Sequence, residues 1–529
     1  MLKSFKGGII FLLFLITLAG VFFLKLITQN GVGLSPDSVS YIYAARSLLS
    51  GKGLIEMTGW NEMIPMVRYA PFYPIQLAAV GVLGFDPLEA ARGVNLFLFA
   101  ANIIWIGYMI WFASCSKGAA LWGAAFTATS FVMLEIHSMA WSEPGFILLG
   151  FLGSFLLARY LSGSAHFWFL AASALLAGLA FLQKYSGASW VAAGILSLLF
   201  CSSRKGIRRM NECLFFGFLG CLPMALWIAR NKLVADNPTG LSFHFQPYLG
   251  VHVREVLAHL SIWLLPQNVP ALIRGLVLLA FLVFLGLIII VSRFTSHPDS
   301  FQADPSKKSF AKNFYTLCGI LIFSHIGIYF LTSVFLGRQP IDDRALSPVF
   351  VAVVILLSAL GTRVWNSSSC FAPIFRQTLR LFFFIVAGMH MGRGFYWGGL
   401  AEMRGLGYAS REWKNSETLQ GIKALSTNTP IFSNGYDVIY IQTGRTSLAI
   451  PAKEDTLRAT IPEPKDRLNQ SYSTEMDKMR EMLIGHQGVI VYLNRIQRSY
   501  YPTEHEIQEK LHLQTVARFS DGAIYRLNE

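Results

Sequence analysis

The sequence predicts a polytopic α-helical membrane protein with a small α/β domain at its C-terminal end. Three observations predict it. Apolar runs of about 20 residues, the length that crosses a bilayer, recur as far as residue 397. Only 14% of the 529 residues are charged, against roughly 25% in soluble chains. From residue 398 onward the composition becomes mixed, with short strand-like runs.

The first element, "MLKSFKGGIIFLLFLITLAGVFFLKLI", has Lys3 and Lys6 ahead of an apolar run of spanning length, with no small-x-small cleavage site. It reads as an uncleaved span whose N-terminus is cytoplasmic. Further spans are expected near 88–112, 118–136, 144–161, 167–183, 185–201, 212–230, 270–292, 314–336, 345–361 and 379–397, about eleven with the first at 8–27. Residues 71–85 are apolar but short, and are expected to be re-entrant or interfacial. On this topology Lys117, "SSRKGIRR" (202–209), Arg293, Lys307, Lys308, Lys312, Arg363 and Arg376 fall inside, as the inside-positive bias requires. The net charge of +14 is thereby accounted for without a nucleic-acid partner. All six cysteines fall in spans or on the inner side, so no disulfide is expected, and no cysteine or histidine spacing forms a metal site.

The domains are therefore expected at 1–397, a transmembrane domain with a first outer loop at about 28–87, and at 398–529, an extracytoplasmic α/β domain. In the latter, "TPIFSN" and "GVIVYLN" read as strands and "DVIYIQTG" as a helix. "TVARFSDGAIYRLN" reads as a hairpin turning at its Ser-Asp-Gly.

Ionisable residues near a bilayer suggest function, and here they gather on the outer side: Asp37, Lys52, Arg68, Asp86, Glu143, Lys184, Arg230, Lys232, Asp236, Arg254 and "GRQPIDDR" (337–344). Cations that violate the orientation bias call for an anionic ligand at the outer face. In "SPDSVSYIYAARSLLSGKGL", Ser35 can cap a helix, Pro36 suits its first position, and Gly51 suits the position past its end. Asp37 then lies in the first turn, where exposed amides and the dipole favour its ionised form. It either assists the cap or waits as a proton acceptor. Glu143 either caps an interfacial turn or takes part in the site. Lys184 and Tyr185 either snorkel at a hairpin or serve a ligand. The carboxylates and cation of 342–344 either flank a span or line the site.

The order and spacing of "PDSVSYIYAARSLLSGKGL", "RYAPFYPIQLAAVGVLG", "DPLEAARGVNLF", "WSEPGFILL", "LAGLAFLQKYSG", "WIARNKLVADNPTG", "DDRALSPVF" and "IFSNGYDVIYIQTGR" resemble the GT-C membrane glycosyltransferases. The likeness is to the bacterial and archaeal branch similar to protein O-mannosyltransferases and the lipid A aminoarabinose transferase. It implies a bundle of roughly 11 to 13 helices, with juxtamembrane helices in the first outer loop. It also implies transfer of a sugar, with inversion, from a polyprenyl- or dolichyl-phosphate carrier to a lipid, glycan or protein acceptor outside the cytoplasm. Asp37 matches the family's proposed catalytic base. The protein O-mannosyltransferases carry Asp-Glu there, where this chain has Asp37-Ser38.

The chemistry assigns the remaining roles. Inverting displacement at an anomeric carbon needs one carboxylate to accept the acceptor's proton, and cations to stabilise the departing phosphate. The base is Asp37; Glu143 binds sugar hydroxyls or orients Asp37. The phosphate-binding candidates are Arg68, Lys184, Arg230 and Arg344, with Arg338 behind them. Tyr41, Tyr69 and Asp343 are substrate-binding candidates. No cofactor is named by the sequence; a divalent metal would have Asp37 and Glu143 as its carboxylates. The expected enzyme is a hexosyl- or pentosyltransferase of the plasma (inner) membrane. The competing class is a transporter or flippase of lipid-linked glycans, which the lack of an internal repeat and of midplane charges argues against.

Overall fold

The computed structural model describes residues 2–57, 64–163, 166–240, 245, 249–295, 305–336, 341–365, 372–453 and 472–528. The chain divides into two compact units. The first comprises Met1–Ile27, Gly93–Trp227 and Phe243–Leu400; the second comprises Thr28–Arg92, Ile228–Ser242 and Ala401–Glu529.

The first unit is helical. Helices occupy all eleven stretches expected to span. Among the described residues, five are long and apolar enough to cross a membrane: Gly7–Ile27, Pro87–Ser114, Glu143–Leu161, Ile207–Ala235 and Pro305–Phe335. A sixth counts if Lys117–Thr129 and Phe131–Ser138, bent by 52°, form one span. Phe167–Gln183, Tyr185–Cys201, Ala271–Leu287 and Ser347–Thr362 are shorter in their apolar length, and Ala372–Arg404 is interrupted by Arg376, Arg380 and Arg393. The first helix shows why this unit belongs in lipid. Phe11, Phe14, Leu18 and Phe22 form an exposed stripe, while Leu13 and Leu24 are buried.

Small residues let these helices approach, as membrane interfaces require. A Cβ on Gly150 would fall 2.0 Å from the Trp190 ring, and one on Gly394 would fall 2.4 Å from the Thr129 carbonyl. The interior histidines are bound up in the packing. His137 donates Nδ1–H to the Met133 carbonyl at 2.7 Å and accepts from Asn102, and His390 donates to the Trp263 carbonyl at 2.7 Å.

The second unit holds helix Pro36–Leu49, a hairpin of β1 (Ile55–Glu56) and β2 (Ile64–Pro65), and helix Phe72–Gly81. It also holds a five-stranded sheet from β3 (Ile431–Ser433), β4 (Leu448–Ala449), β5 (Val489–Leu493), β6 (Leu513–Phe519) and β7 (Gly522–Leu527), in the order β4-β3-β5-β7-β6. β4, β3 and β5 run parallel; β7 and β6 are the antiparallel hairpin read from "SDG". The expected strands in "TPIFSN" and "GVIVYLN" are β3 and β5, and "DVIYIQTG" lies in helix Tyr436–Thr443. Phe432, Ile490, Met476, Met479, Leu483 and Tyr525 are among the side chains of the sheet's core.

Candidate active site

Asp37 stands in the first turn of helix Pro36–Leu49, which begins and ends where the sequence puts it. Ser35 and Ser38 build a capping box, Ser38 N donating to Ser35 Oγ at 3.4 Å and Ser35 N to Ser38 Oγ at 3.1 Å. Gly51 follows the helix end at φ +76°. With the serines supplying the cap, Asp37 reaches another partner: Tyr69 Oη donates to its Oδ1 at 2.9 Å. Burial, and next the charge of Asp37, raise the Tyr69 phenol well above its ordinary value, so it stays a donor. Tyr41, one turn on from Asp37, packs edge-on against Tyr69 (5.2 Å between centroids) and Tyr73 (5.3 Å). The aromatic pair that carries Asp37 is thus seated in the unit's core, where Tyr73 is fully buried.

Arg68 directly precedes Tyr69, and its guanidinium lies 5.9 Å from that ring's centroid. Desolvation works against its charge, but Tyr69, Glu56, Asp37 and Tyr436 together outweigh it and hold the pKa above the ordinary arginine value. Glu56, at the end of β1, is only 3% exposed. Burial pushes its carboxyl up to about 7, against the pull of the Arg68 charge and of the Arg68 and Val67 amides that donate to it. Its Oε2 has no hydrogen-bond partner among the described residues. Arg230 Nη1 donates to the Met66 carbonyl at 2.8 Å and to Asn231 Oδ1 at 3.1 Å. Gly240, at φ +70°, brings its loop against Arg68, where a Cβ would sit 3.1 Å from the Arg68 Cα. Arg230 therefore braces the segment after β2 that presents Arg68.

The first unit holds a separate polar group. Glu143 opens helix Glu143–Leu161 and is fully buried. Its Oε1 accepts from Lys184 Nζ at 2.5 Å and from Arg344 Nε at 2.6 Å, while Oε2 has no partner among the described residues. Two cations on one carboxylate leave a net positive charge. Lys184 breaks the chain between helices Phe167–Gln183 and Ala188–Cys201. The turn depends on Gly187, whose Cβ would fall 2.4 Å from the Phe181 Cα. Arg344 also lies over the Trp141 ring, 4.3 Å from its centroid. Its neighbour Asp343 accepts from Trp263 Nε1 at 2.8 Å and pairs with His259 Nδ1 at 3.2 Å; this hydrogen bond is the largest cause raising the His259 pKa.

Of the residues singled out in the sequence, Asp37, Tyr41, Arg68, Tyr69 and Arg230 fall in the second unit, and Glu143, Lys184, Asp343 and Arg344 in the first. Arg338 lies outside the described residues. Among the other outer charges, Arg46 and Asp86 form a two-pronged pair at 2.9 and 2.8 Å, and Lys232 pairs with Asp236 at 2.5 Å. Among the described residues, no group of three or more His, Cys, Asp and Glu side chains could hold a metal ion.

No family model and no curated protein matches the sequence. Solved structures do match. ArnT from Cupriavidus metallidurans, bound to undecaprenyl phosphate, superposes with a TM-score of 0.55 at 13% identity over 97% of this chain and 97% of its own. The archaeal oligosaccharyltransferase AglB from Archaeoglobus fulgidus, in complex with an inhibitory peptide and a dolichol-phosphate, gives 0.53 at 13% identity over 92% of this chain and 69% of its own. The chain has a GT-C fold.

Within this GT-C fold, sequence reasoning missed Glu56, His259 and Trp263. An acid flanked by Leu54, Ile55 and Met57 was the available signal for Glu56, since a charge inside a short apolar strand is a buried charge. For the other two the signal was spacing. His252, Glu255, His259 and Trp263 recur on one face of helix Leu249–Leu264, and Glu255, His259 and Trp263 bond to Ile341 and Asp343.

Proposed function

We propose that the chain is an inverting glycosyltransferase of the plasma (inner) membrane. It moves a hexosyl or pentosyl group from a polyprenyl-phosphate carrier to a hydroxyl of a lipid, glycan or protein acceptor on the extracytoplasmic side. Eleven spans, a cytoplasmic N-terminus, a catalytic domain at 1–397 and an extracytoplasmic domain at 398–529 complete this reading. The observation that carries it is the pairing of Asp37 with Tyr69, directly beside Arg68. It sets a proton acceptor at a helix N-terminus next to a cation whose charge is reinforced by its surroundings.

In the transfer, the acceptor oxygen attacks the anomeric carbon and gives its proton to Asp37. The bond from that carbon to the carrier phosphate breaks, and the phosphate leaves with the electron pair. Tyr69 fixes the orientation of that carboxylate by donating to its Oδ1. Arg68 stabilises the charge that builds on the phosphate, with Arg230 holding the segment that carries it. Lys184 and Arg344 are further candidates for carrier phosphate, and Glu143 keeps the two cations together. Tyr41 and Asp343 serve substrate binding through Tyr69 and through the 341–344 turn. The likeness in fold to proteins solved with undecaprenyl phosphate and with dolichol-phosphate supports a carrier of that chemistry.

The test uses the purified full chain in bilayer nanodiscs with a panel of polyprenyl-phosphate-linked hexoses and pentoses, read by mass spectrometry. Loss of sugar from one carrier, abolished in Asp37→Asn, is expected. Movement of an intact carrier-linked glycan across a vesicle without cleavage would favour transport instead, and undiminished cleavage by Asp37→Asn would remove the base.

A further inference from the structure

A cavity of about 620 Å³ opens within the first unit, among the N-terminal end of helix Lys117–Thr129, the C-terminal half of Ser347–Trp365 and the N-terminal half of Ala372–Arg404. Its lining is graded along all three. Ser116, Thr362, Arg376 and Arg380 stand towards the helix ends, and Trp122 and Phe383 further in. Arg376 and Arg380 are one turn apart, so both face the same side. None of the described lining residues is acidic. Ser358 and Thr362 turn their hydroxyl protons back onto their own helix, to the Val354 and Ser358 carbonyls at 2.8 and 2.9 Å. Among the described lining residues, the charged ones are Arg376 and Arg380. Below them the walls are hydrocarbon and ring, with Trp122 edge-on to Phe383 at 4.7 Å.

We propose that this cavity binds an anionic glycerophospholipid of the surrounding bilayer, its phosphate between Arg376 and Arg380 and an acyl chain along Trp122 and Phe383. The volume lies within the roughly 300–1,000 Å³ of cavities that enclose ligands. A cationic mouth over an apolar shaft matches the two ends of such a lipid, and basic pockets between spans on the cytoplasmic side hold anionic headgroups. The inside-positive reading puts Lys117, Arg363 and Arg376 on that side. The occupant is a structural lipid that fills a gap between three helices, and the inference does not depend on the transferase reading.

The experiment is native mass spectrometry of the full chain, purified from nanodiscs of phosphatidylglycerol or of phosphatidylcholine and stripped with detergent. Wild type is expected to retain one phosphatidylglycerol and to lose phosphatidylcholine. Arg376→Gln and Arg380→Gln each weaken retention roughly fivefold. A second variant guards against misfolding: a Cβ on Gly118 meets nothing within 4 Å, so Gly118→Trp fills the cavity while keeping both charges, and is expected to release the lipid. Equal retention of both lipids would overturn the headgroup assignment. Unchanged retention in Gly118→Trp would put the lipid elsewhere, and preferential capture of added undecaprenyl phosphate would replace the occupant with a single-chain carrier. Either outcome overturns the proposal.

Discussion

Tyr69 donates a hydrogen bond to Asp37, Oη to Oδ1 at 2.9 Å, joining the first turn of a helix to a bend 32 residues later, just past β2. The bond fixes the carboxylate's rotation. Asp37→Asn is expected to reduce sugar transfer by about 100-fold or more, the usual worth of a general base. Tyr69→Phe keeps the ring packing on Tyr41 and is expected to cost about tenfold in kcat with little change in acceptor KM. Initial rates of sugar transfer by each purified variant, taken over a range of acceptor concentrations, measure both.

Arg68 is expected to act on the donor. Arg68→Ala raises the KM for the carrier-linked sugar by about 10- to 100-fold, as removal of a charge-assisted phosphate contact does. Arg68→Lys restores part of it. Binding of undecaprenyl phosphate to the variants, followed by thermal shift in detergent, reads this directly; equal shifts in all three proteins would exclude the contact.

Glu56 makes stability depend on pH. Its folded pKa of about 7 lies above the ordinary 4.5, so its contribution is fully present below pH about 4.5, declines as pH rises, and is lost above about 7. That interval corresponds to roughly 3 kcal/mol. In detergent, wild type is expected to lose melting temperature between pH 4.5 and 7 more steeply than Glu56→Gln. Parallel curves would show that Glu56 is not the group responsible.

The buried group at Glu143 predicts non-additivity. Glu143→Gln strips the carboxylate from two buried cations and is expected to destabilise by roughly 3–5 kcal/mol, whereas Arg344→Ala or Lys184→Ala leaves a carboxylate that is 0% exposed still paired with one cation and is expected to cost less. Glu143→Gln leaves two cations facing each other. The double variant Glu143→Gln with Arg344→Ala should be less destabilised than the sum of its parts, by unfolding in the same detergent.

What was legible in the sequence was what is local. The helix bearing Asp37 could be read because its cap, its first-turn proline and its terminal glycine are encoded within 17 residues, Ser35 to Gly51. The hairpin of β6 and β7 was legible through its turn. The partners of the site residues were not, because they are remote in the chain: Lys184 and Arg344 lie 41 and 201 residues from Glu143. Glu56 owes its environment to a strand pairing with Ile64 that no periodicity announces. The apolar runs gave the helices, but the apolar part of several is shorter than a bilayer crossing. A helix packed among others can be shorter, or carry arginines, where its neighbours rather than lipid surround it.

The second unit is stitched from three stretches of chain, and the first stitch is at Leu34. Its carbonyl accepts from Tyr408 N at 2.9 Å, and its amide donates to the Leu406 carbonyl at 3.4 Å. Between them Gly407, at φ +53°, passes so close that a Cβ would lie 2.0 Å from the Leu34 oxygen. Arg46, farther along the helix of Asp37, likewise waits for Tyr440, to which it donates at 3.0 Å. At roughly 5–20 residues per second, a ribosome needs on the order of 20 to 75 seconds to travel from Leu34 to Gly407. For that time the helix of Asp37 is already translated but lacks its partners. Maturation of this loop is thus a late event in biosynthesis, and a nonsense codon just before residue 406 removes the partners of a segment completed hundreds of codons upstream.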